Sequence, residues 1–597
     1  MRSRGPLLVA AALAALLAWR LWPGAPEPPP DLLLITLDTT RADAVHAGTP
    51  ALEAFLGEST LLTRARTTVP LTLPAHVTLL SGKEPRSHGI HENLAPKLPE
   101  GRGFPFLQEE LKAAGYRTAA FVASPVLGEQ TGISAGFETF EAPKPLLDSW
   151  SGEQGDVPAE ERVEAPLKWL AARDKGRPFF LWVHFYDPHV PYLPFKGDAR
   201  RAPTSEGDSA AALYAGEVRR MDAAVERLLA AVGPDTVVVI ASDHGEGLGE
   251  HGEATHGSLC YGSTADVFLA VRAPALGRGA KDEGPRSLSD LAPTIREWCG
   301  LEPRAADGVA ISGGLGGRVV VTESMLAYRT YGWAQVFVAT DGRFSLVESG
   351  PRLDLFDLAA DPGETRPLKP EGHAAYETLD RAIAAYREAK GREPEGAYMA
   401  GSPYGHAVRP FASYLPREEN LRLKDPETGF PFAGQMALAK SLIHFGKERR
   451  DAEGLEKAIA ILKELAAQDP KNPAPHLYLT HAQGRLGWVL GRPELHRAAA
   501  RSARDAIDLG YRVAPLLADL LHESLEAGDA ADLRAALEVA VKEPIHPDLN
   551  CAQLAAQAGL KLETLGDAEG ADLARRFLER CHRLGVAPPL PPKGPSR

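Results

Sequence analysis

The stretch DLLLITLD, Asp31–Asp38, decides the fold. It is a continuous apolar run that ends in an acid, which reads as a buried strand of a parallel sheet with a polar residue at its C-terminal edge. Working outward, the pattern recurs. YRTAAFVA (116–123) follows the helical stretch FLQEELKAAG, PFFLWVHF (178–185) follows another helical stretch, and TVVVIASDHGEG (236–247) follows the amphipathic run VRRMDAAVERLLAAV. Strands alternating with helices predict an α/β fold with a mostly parallel sheet flanked by helices. Ligands of such sheets bind beyond the carboxyl ends of the strands. Asp38, His184 and Asp243 fall at or just past those ends.

Beyond this core the texture changes in both directions. MRSR and the 14-residue apolar run PLLVAAALAALLAW open the chain, followed by Arg20 and the proline-rich tract PGAPEPPP. A positive start before a short apolar core is an export signal or a membrane anchor. No small-x-small cleavage site precedes the prolines, so residues 1–25 read as an uncleaved anchor and 26–30 as a linker. The positive-inside rule then puts the bulk of the chain on the periplasmic or extracellular side, anchored to the inner membrane. From about Arg318 to Pro362, RVVVTES, AQVFVAT, RFSLVES and the turn-rich LFDLAADPGET predict a small antiparallel sheet appended to the main one. A catalytic domain is expected over 31–400, a Pro- and Gly-rich linker over 401–430, and an all-α repeat domain over 431–590. In that last part breakers are expected at HFG (444–446), RLG (485–487), EAG (526–528) and TLG (564–566), with glycines 41, 41 and 38 residues apart. That spacing, with the helix–turn–helix texture of AIAILKELAAQDPKNPAPHLYLTHAQGRLG, predicts a tetratricopeptide-like stacked α-solenoid rather than a non-repetitive bundle.

The 597 residues carry a net charge of −13, which argues against nucleic acid as the main partner. The four cysteines, Cys260, Cys299, Cys551 and Cys581, form no CxxC pair, so the chain is neither a disulfide scaffold nor a zinc ribbon. Cys551 and Cys581 could pair across neighbouring helices.

One further stretch carries chemistry: VPLTLPAHVTLLSG, Val69–Gly82, where Thr72 stands between two prolines at the mouth of an apolar helix. Pro74 suits a first helical position. Thr72 is either an N-cap or a nucleophile whose target sits over the helix N-terminus, where unpartnered N–H groups attract anions. A threonine hydroxyl needs a base or a metal to act as a nucleophile. Asp38, Asp243 and His244 could hold one ion against Thr72. His184, His189 and His256 could hold a second, or bind the anionic oxygens of a substrate and protonate its leaving group. Carboxylate and imidazole ligands suit Zn²⁺ or Mn²⁺, whereas an oxygen-richer set would suit Ca²⁺ or Mg²⁺. The chemistry that fits, with one or two ions, is hydrolysis or transfer of a phosphate or sulfate ester.

Over about Asp31–Leu368 the sequence resembles the sulfatase family of the alkaline phosphatase superfamily, most of all its exported, tetratricopeptide-bearing bacterial members. LITLDTTRAD is similar to the family's first metal-binding strand, and TLPAHVTLLSG to its nucleophile motif. WVHFYDPHVPY, ASDHGEGLGEHG, SDLAPT and LFDLAADPGET resemble further landmarks. The resemblance implies Asp38, Asp243 and His244 as metal ligands, Thr72 as nucleophile and metal contact, and His189 and His256 as substrate-side residues. The departures are informative. The family's cysteine or serine is oxidised to formylglycine, and Thr72 cannot be. Thr39 replaces a second acid, His76 the motif's arginine, His244 a common asparagine and His256 a typical lysine, while Ala123 and Pro125 replace a Lys-x-His. These changes resemble the threonine-nucleophile branches, phosphodiesterases and phosphoethanolamine transferases. There, histidines resembling His184, His189 and His256 help hold a second zinc, at intervals similar to those here, five residues from His184 to His189 and twelve from His244 to His256.

The expected function is therefore a metal-dependent hydrolase of anionic sulfate or phosphate esters, with a phosphodiesterase or phosphoethanolamine-type transferase as the alternative. From another class stands a non-catalytic scaffold that binds a protein partner through its helical repeats.

Overall fold

The computed structural model describes residues 28–587, apart from 47, 94–97, 99–100, 144–156, 198–199, 206–207, 315, 389–413 and 546. The expected anchor over 1–25 lies outside the described residues, as do parts of both expected linkers.

The apolar runs form the strands predicted for them. The main sheet has eight strands: β1 (Leu32–Leu37), β2 (Thr60–Arg66), β3 (Arg117–Phe121), β4 (Thr139–Glu141), β5 (Phe179–Phe185), β6 (Val237–Ser242), β7 (Leu269–Arg272) and β8 (Ala280–Ser287). Their spatial order is β4-β3-β5-β1-β6-β7-β2-β8. β1 sits at the centre, parallel to β5 on one side and β6 on the other. Every residue of β1, β5 and β6 is buried, because helices cover both faces of the sheet and leave no solvated side for polar residues to alternate onto. β7 is the exception to the parallel rule: it pairs antiparallel with both β6 and β2.

The register aligns the strand ends. Thr36 lies opposite His184 in β5 and Ala241 in β6, and Leu37 opposite Phe185 and Ser242. Asp38 and Asp243, each one residue past its strand, therefore emerge side by side at the carboxyl edge.

The appended sheet is antiparallel, β12-β11-β10-β9, from β9 (Val320–Ser324), β10 (Val336–Thr340), β11 (Phe344–Ser349) and β12 (Arg352–Asp357). The start of the stretch read as turn-rich, Leu355–Asp357, completes its fourth strand.

The C-terminal third is helical, with eight helices among the described residues between Pro426 and Arg583. Two of the four expected breakers end helices: Gly528 caps one in the left-handed conformation and Gly566 follows another at φ 77°. The other two do not. Helix Pro426–Arg449 runs through HFG, and helix Pro473–Leu490 runs through RLG to end at Gly491. At Gly487 the reason is packing: a Cβ there would lie 2.8 Å from His496 Nε2, so this glycine admits a neighbouring helix rather than ending its own. Within the stretch expected to be linker, Arg417–Asn420 form a helical turn and Pro426 opens a 24-residue helix. That helix docks beside the antiparallel sheet, where Phe432 and Met436 share a buried cluster with Trp333 and Ala327. Cys551 and Cys581 are buried free thiols on adjacent helices. Among the described residues no helix is long and apolar enough to cross a membrane.

Candidate active site at the sheet's carboxyl edge

Thr72 is the first residue of helix Thr72–Ser81, after extended Leu71 (φ −147°, ψ 141°). The helix ends at Gly82, whose φ of 75° favours the residue without a Cβ. Thr72 does not act as an N-cap: Leu71 holds that position, and no side chain caps from it. The expected cluster of open N–H groups is largely closed. The Leu73 N–H donates to Asn93 Oδ1 at 2.8 Å, Pro74 has none, and the Ala75 N–H donates to Leu71 O at 3.1 Å. Charge stabilisation at this helix start therefore falls to other groups.

The first of those groups is Asp38, whose Oδ2 accepts from the Thr72 hydroxyl at 3.5 Å. The other Asp38 oxygen, Oδ1, lies 3.6 Å from His244 Nε2, which is 3.5 Å from Asp243 Oδ2. All three atoms are buried and have no hydrogen-bond partner. Such a set is costly unless something binds it. Three unpaired donors within 4.8 Å of one another, two of the separations about 3.5 Å, match the spacing of ligands around a divalent ion held at roughly 2.0–2.2 Å. The residues present thus fit a cation, and Asp38, Asp243 and His244 form a group able to hold one.

The backbone aims these donors. Asp243 Oδ1 accepts the N–H groups of His244 (2.8 Å) and Thr39 (3.2 Å), which turns Oδ2 into the site. Thr39 takes a positive φ of 51°, and its carbonyl is held by the Tyr214 hydroxyl at 2.8 Å. Burial raises the Asp38 carboxyl to about 6 against the pull of His244 and His256, and burial with the nearby Asp38 charge raises Asp243.

His184, His189 and His256 do not form a ligand group of their own among the described residues. His184 instead groups with His76 and Asp243. Its Nδ1 accepts the Ala123 N–H at 3.3 Å, so a neutral ring carries its proton on Nε2, which faces Asp38 Oδ2 at 3.3 Å. Burial lowers the ring to about 4. His189 and His256 line the half-buried mouth, with ring centroids 5.1 Å apart, and His256 lies 4.4 Å from His244. Burial opposes the charge on His256, but Glu246 outweighs it from 3.1 Å and, with Asp38 and Glu253, raises the ring to about 9. Glu246 escaped the sequence reading, although it stands two residues after His244 in the same motif. Asn93 carried no local signal, because its partner Leu73 lies 20 residues away.

The Sulfatase family's sequence profile matches residues 30–301. Steryl-sulfatase of Mus musculus is 30% identical over 274 residues, covering 37% of this chain and 43% of the relative. The multifunctional alkaline phosphatase superfamily protein PehA of Trinickia caryophylli is 26% identical over 396 residues, 47% of this chain and 75% of the relative. The chain thus spans less than half the length of the first relative and three quarters of the second. Among solved structures, BT4656 in complex with its substrate D-glucosamine-2-N,6-O-disulfate superposes with a TM-score of 0.50 at 17% identity, over 61% of this chain and 98% of that one, and shares the fold.

Proposed function

We propose that this chain, whose residues 30–301 match the sulfatase family's profile, is a metal-dependent hydrolase of sulfate or phosphate esters with Thr72 as its nucleophile. One observation carries the reading: the Thr72 hydroxyl donates to Asp38 Oδ2, while the other Asp38 oxygen forms a buried, unpartnered set with Asp243 Oδ2 and His244 Nε2. A divalent cation held there, with Zn²⁺ or Mn²⁺ suited to the mixed oxygen and nitrogen set, would stabilise the alkoxide and offset the charge of the ester oxygens.

The chain's own groups supply the rest. Thr72 Oγ1 forms a bond to phosphorus or sulfur as the ester's leaving oxygen departs. Asp38 Oδ2 lies where it accepts the hydroxyl proton. His256, kept protonated by Glu246, donates to the leaving oxygen at the mouth. His189, held neutral by burial, stands on the substrate side. Water then releases the anion and restores the Thr72 hydroxyl.

A phosphodiesterase or phosphoethanolamine-type transferase is favoured over sulfate hydrolysis by one residue. Threonine cannot become formylglycine, and it suits transfer through an ordinary alkoxide. The helical domain is proposed as a stacked solenoid that binds a partner or a substrate chain. The N-terminal segment is proposed as an anchor holding the protein outside the cytoplasm.

The test joins metal analysis of the purified full chain to turnover of aryl sulfate, phosphate monoester, phosphodiester and phosphonate substrates. Bound divalent metal with turnover of at least one ester supports the proposal. Absence of both favours the scaffold reading.

A further inference from the structure

The Thr72 carbonyl, as well as its hydroxyl, is tied into the core, and the tie runs through His76. His76 Nδ1 lies 2.7 Å from Thr72 O, and its Nε2 lies 3.0 Å from Thr36 Oγ1. Trp182 Nε1 lies 2.9 Å from the same Thr36 oxygen. Thr36, His76 and Trp182 are wholly buried and Thr72 is 2% exposed, so no water competes for these bonds.

The donor directions are forced. A carbonyl only accepts, so the proton of His76 is on Nδ1. A neutral imidazole has one such proton, so Nε2 accepts, and the Thr36 hydroxyl must donate to it. An indole N–H only donates, so the Thr36 oxygen accepts from Trp182. The chain Trp182 to Thr36 to His76 to Thr72 runs in one polarity, with both ring nitrogens of His76 committed.

We propose that His76 is a positioning residue: as the Nδ1–H tautomer, wired to Thr36 and Trp182, it fixes the first turn of the Thr72 helix so that the hydroxyl stays on Asp38. It is not a ligand, although it lies in a group with His184 and Asp243 that could hold an ion. The turn needs such a tie. The Ala75 N–H bonds Leu71 O at 3.1 Å, but Pro74 brings no N–H to the turn, the Leu73 N–H goes to Asn93 Oδ1, and the residue before Thr72 is extended. A free first turn would let the Thr72 side chain swing away from a site whose other members are set by strand ends.

The role in positioning rests on Thr72 being the nucleophile; the statement that His76 is not a ligand does not. The experiment therefore has an arm that needs no turnover. Three variants of the full chain are compared with wild type. His76→Asn offers its amide nitrogen where Nδ1 stood, His76→Ala offers nothing, and Thr36→Val removes the hydroxyl while keeping the shape. Asp243→Asn serves as the ligand control.

Isothermal titration with Mn²⁺ alone should show His76→Asn and Thr36→Val binding with wild-type stoichiometry, while Asp243→Asn binds at least about tenfold more weakly. Loss of Mn²⁺ in His76→Asn equal to that in Asp243→Asn would overturn the proposal. ¹⁵N-histidine spectra, with His76→Asn identifying the signal, should show Nδ1 protonated; an Nε2-protonated ring overturns it as well. With the ester that wild type turns over, His76→Ala and Thr36→Val should each lower kcat about tenfold, the worth of one hydrogen bond at the transition state, with KM little changed. His76→Asn should recover most of the His76→Ala loss, and adding Thr36→Val to His76→Asn should cost nothing more. Wild-type kcat in both Thr36→Val and His76→Ala would sink the positioning role. A wild-type chain without turnover counts against Thr72 as nucleophile and hence against positioning, and the titration and spectra still decide whether His76 is a ligand.

Discussion

Thr72 Oγ1 stands 3.5 Å from Asp38 Oδ2, with both side chains sealed from solvent and 34 residues apart in the chain. The pair joins a helix start to the end of the central strand, and on it depends what the site does.

Removing the hydroxyl tests this directly. Thr72→Ala is expected to lower kcat/KM at least about 10³-fold. Its folding should change by no more than about 1 kcal/mol, because only a hydroxyl and a methyl leave the core. Steady-state kinetics and denaturant unfolding check both halves, and retained turnover would falsify the nucleophile assignment.

The loop after β6 is built on close backbone approach. A Cβ on Gly245 would lie 2.1 Å from Ser263 O, and a main-chain oxygen has nowhere to move. Gly245→Ala is expected to cost at least about 2 kcal/mol and to displace the adjoining His244. A lower melting temperature should appear together with weakened Mn²⁺ binding. Wild-type values for both would show that the loop yields.

Glu253 makes stability depend on pH. Burial pushes its carboxyl up to about 8 from the ordinary 4.5, against the Ser258 and Leu259 N–H groups that bond Oε1. The folded state therefore holds a proton that the unfolded state has released. The stabilising contribution is full below pH 4.5 and is lost as pH rises through about 8. Glu253→Gln is neutral throughout, so its melting temperature should rise relative to wild type across that window. A difference that stays constant with pH would mean the carboxylate is ionised in the folded protein.

The C-terminal helices are anchored through Trp333, which is 2% exposed and stacks on Tyr331 with centroids 4.4 Å apart. Helix Pro426–Arg449 closes over it so tightly that a Cβ on Gly429 would lie 2.3 Å from the indole. Trp333→Ala is expected to cost about 3–5 kcal/mol and to loosen the helical domain before the sheet. A single unfolding transition at the wild-type midpoint would contradict this.

The central strands and the acids at their ends were legible locally. β1, β5 and β6 are runs of apolar residues long enough to be strands, and Asp38 and Asp243 directly follow two of them, which places both acids at one edge of the sheet. Glycines misled where their role was packing: nothing near Gly487 in the chain reveals the His496 ring that fills the space over it. The antiparallel course of β7 likewise carried no local mark.

What the sequence by itself determined is the kind of residue at each strand end and the period of each element, because burial of apolar side chains is dictated by neighbours a few positions away. Only the tertiary structure decided how polar atoms are shared. It drew Asn93 to the Leu73 N–H, leaving few open donors at the helix start, and it set Glu246 on His256. It also committed both nitrogens of His76 to Thr72 and Thr36. A hydrogen bond depends on distance and direction between groups that the chain brings together from far apart, and no local pattern encodes either.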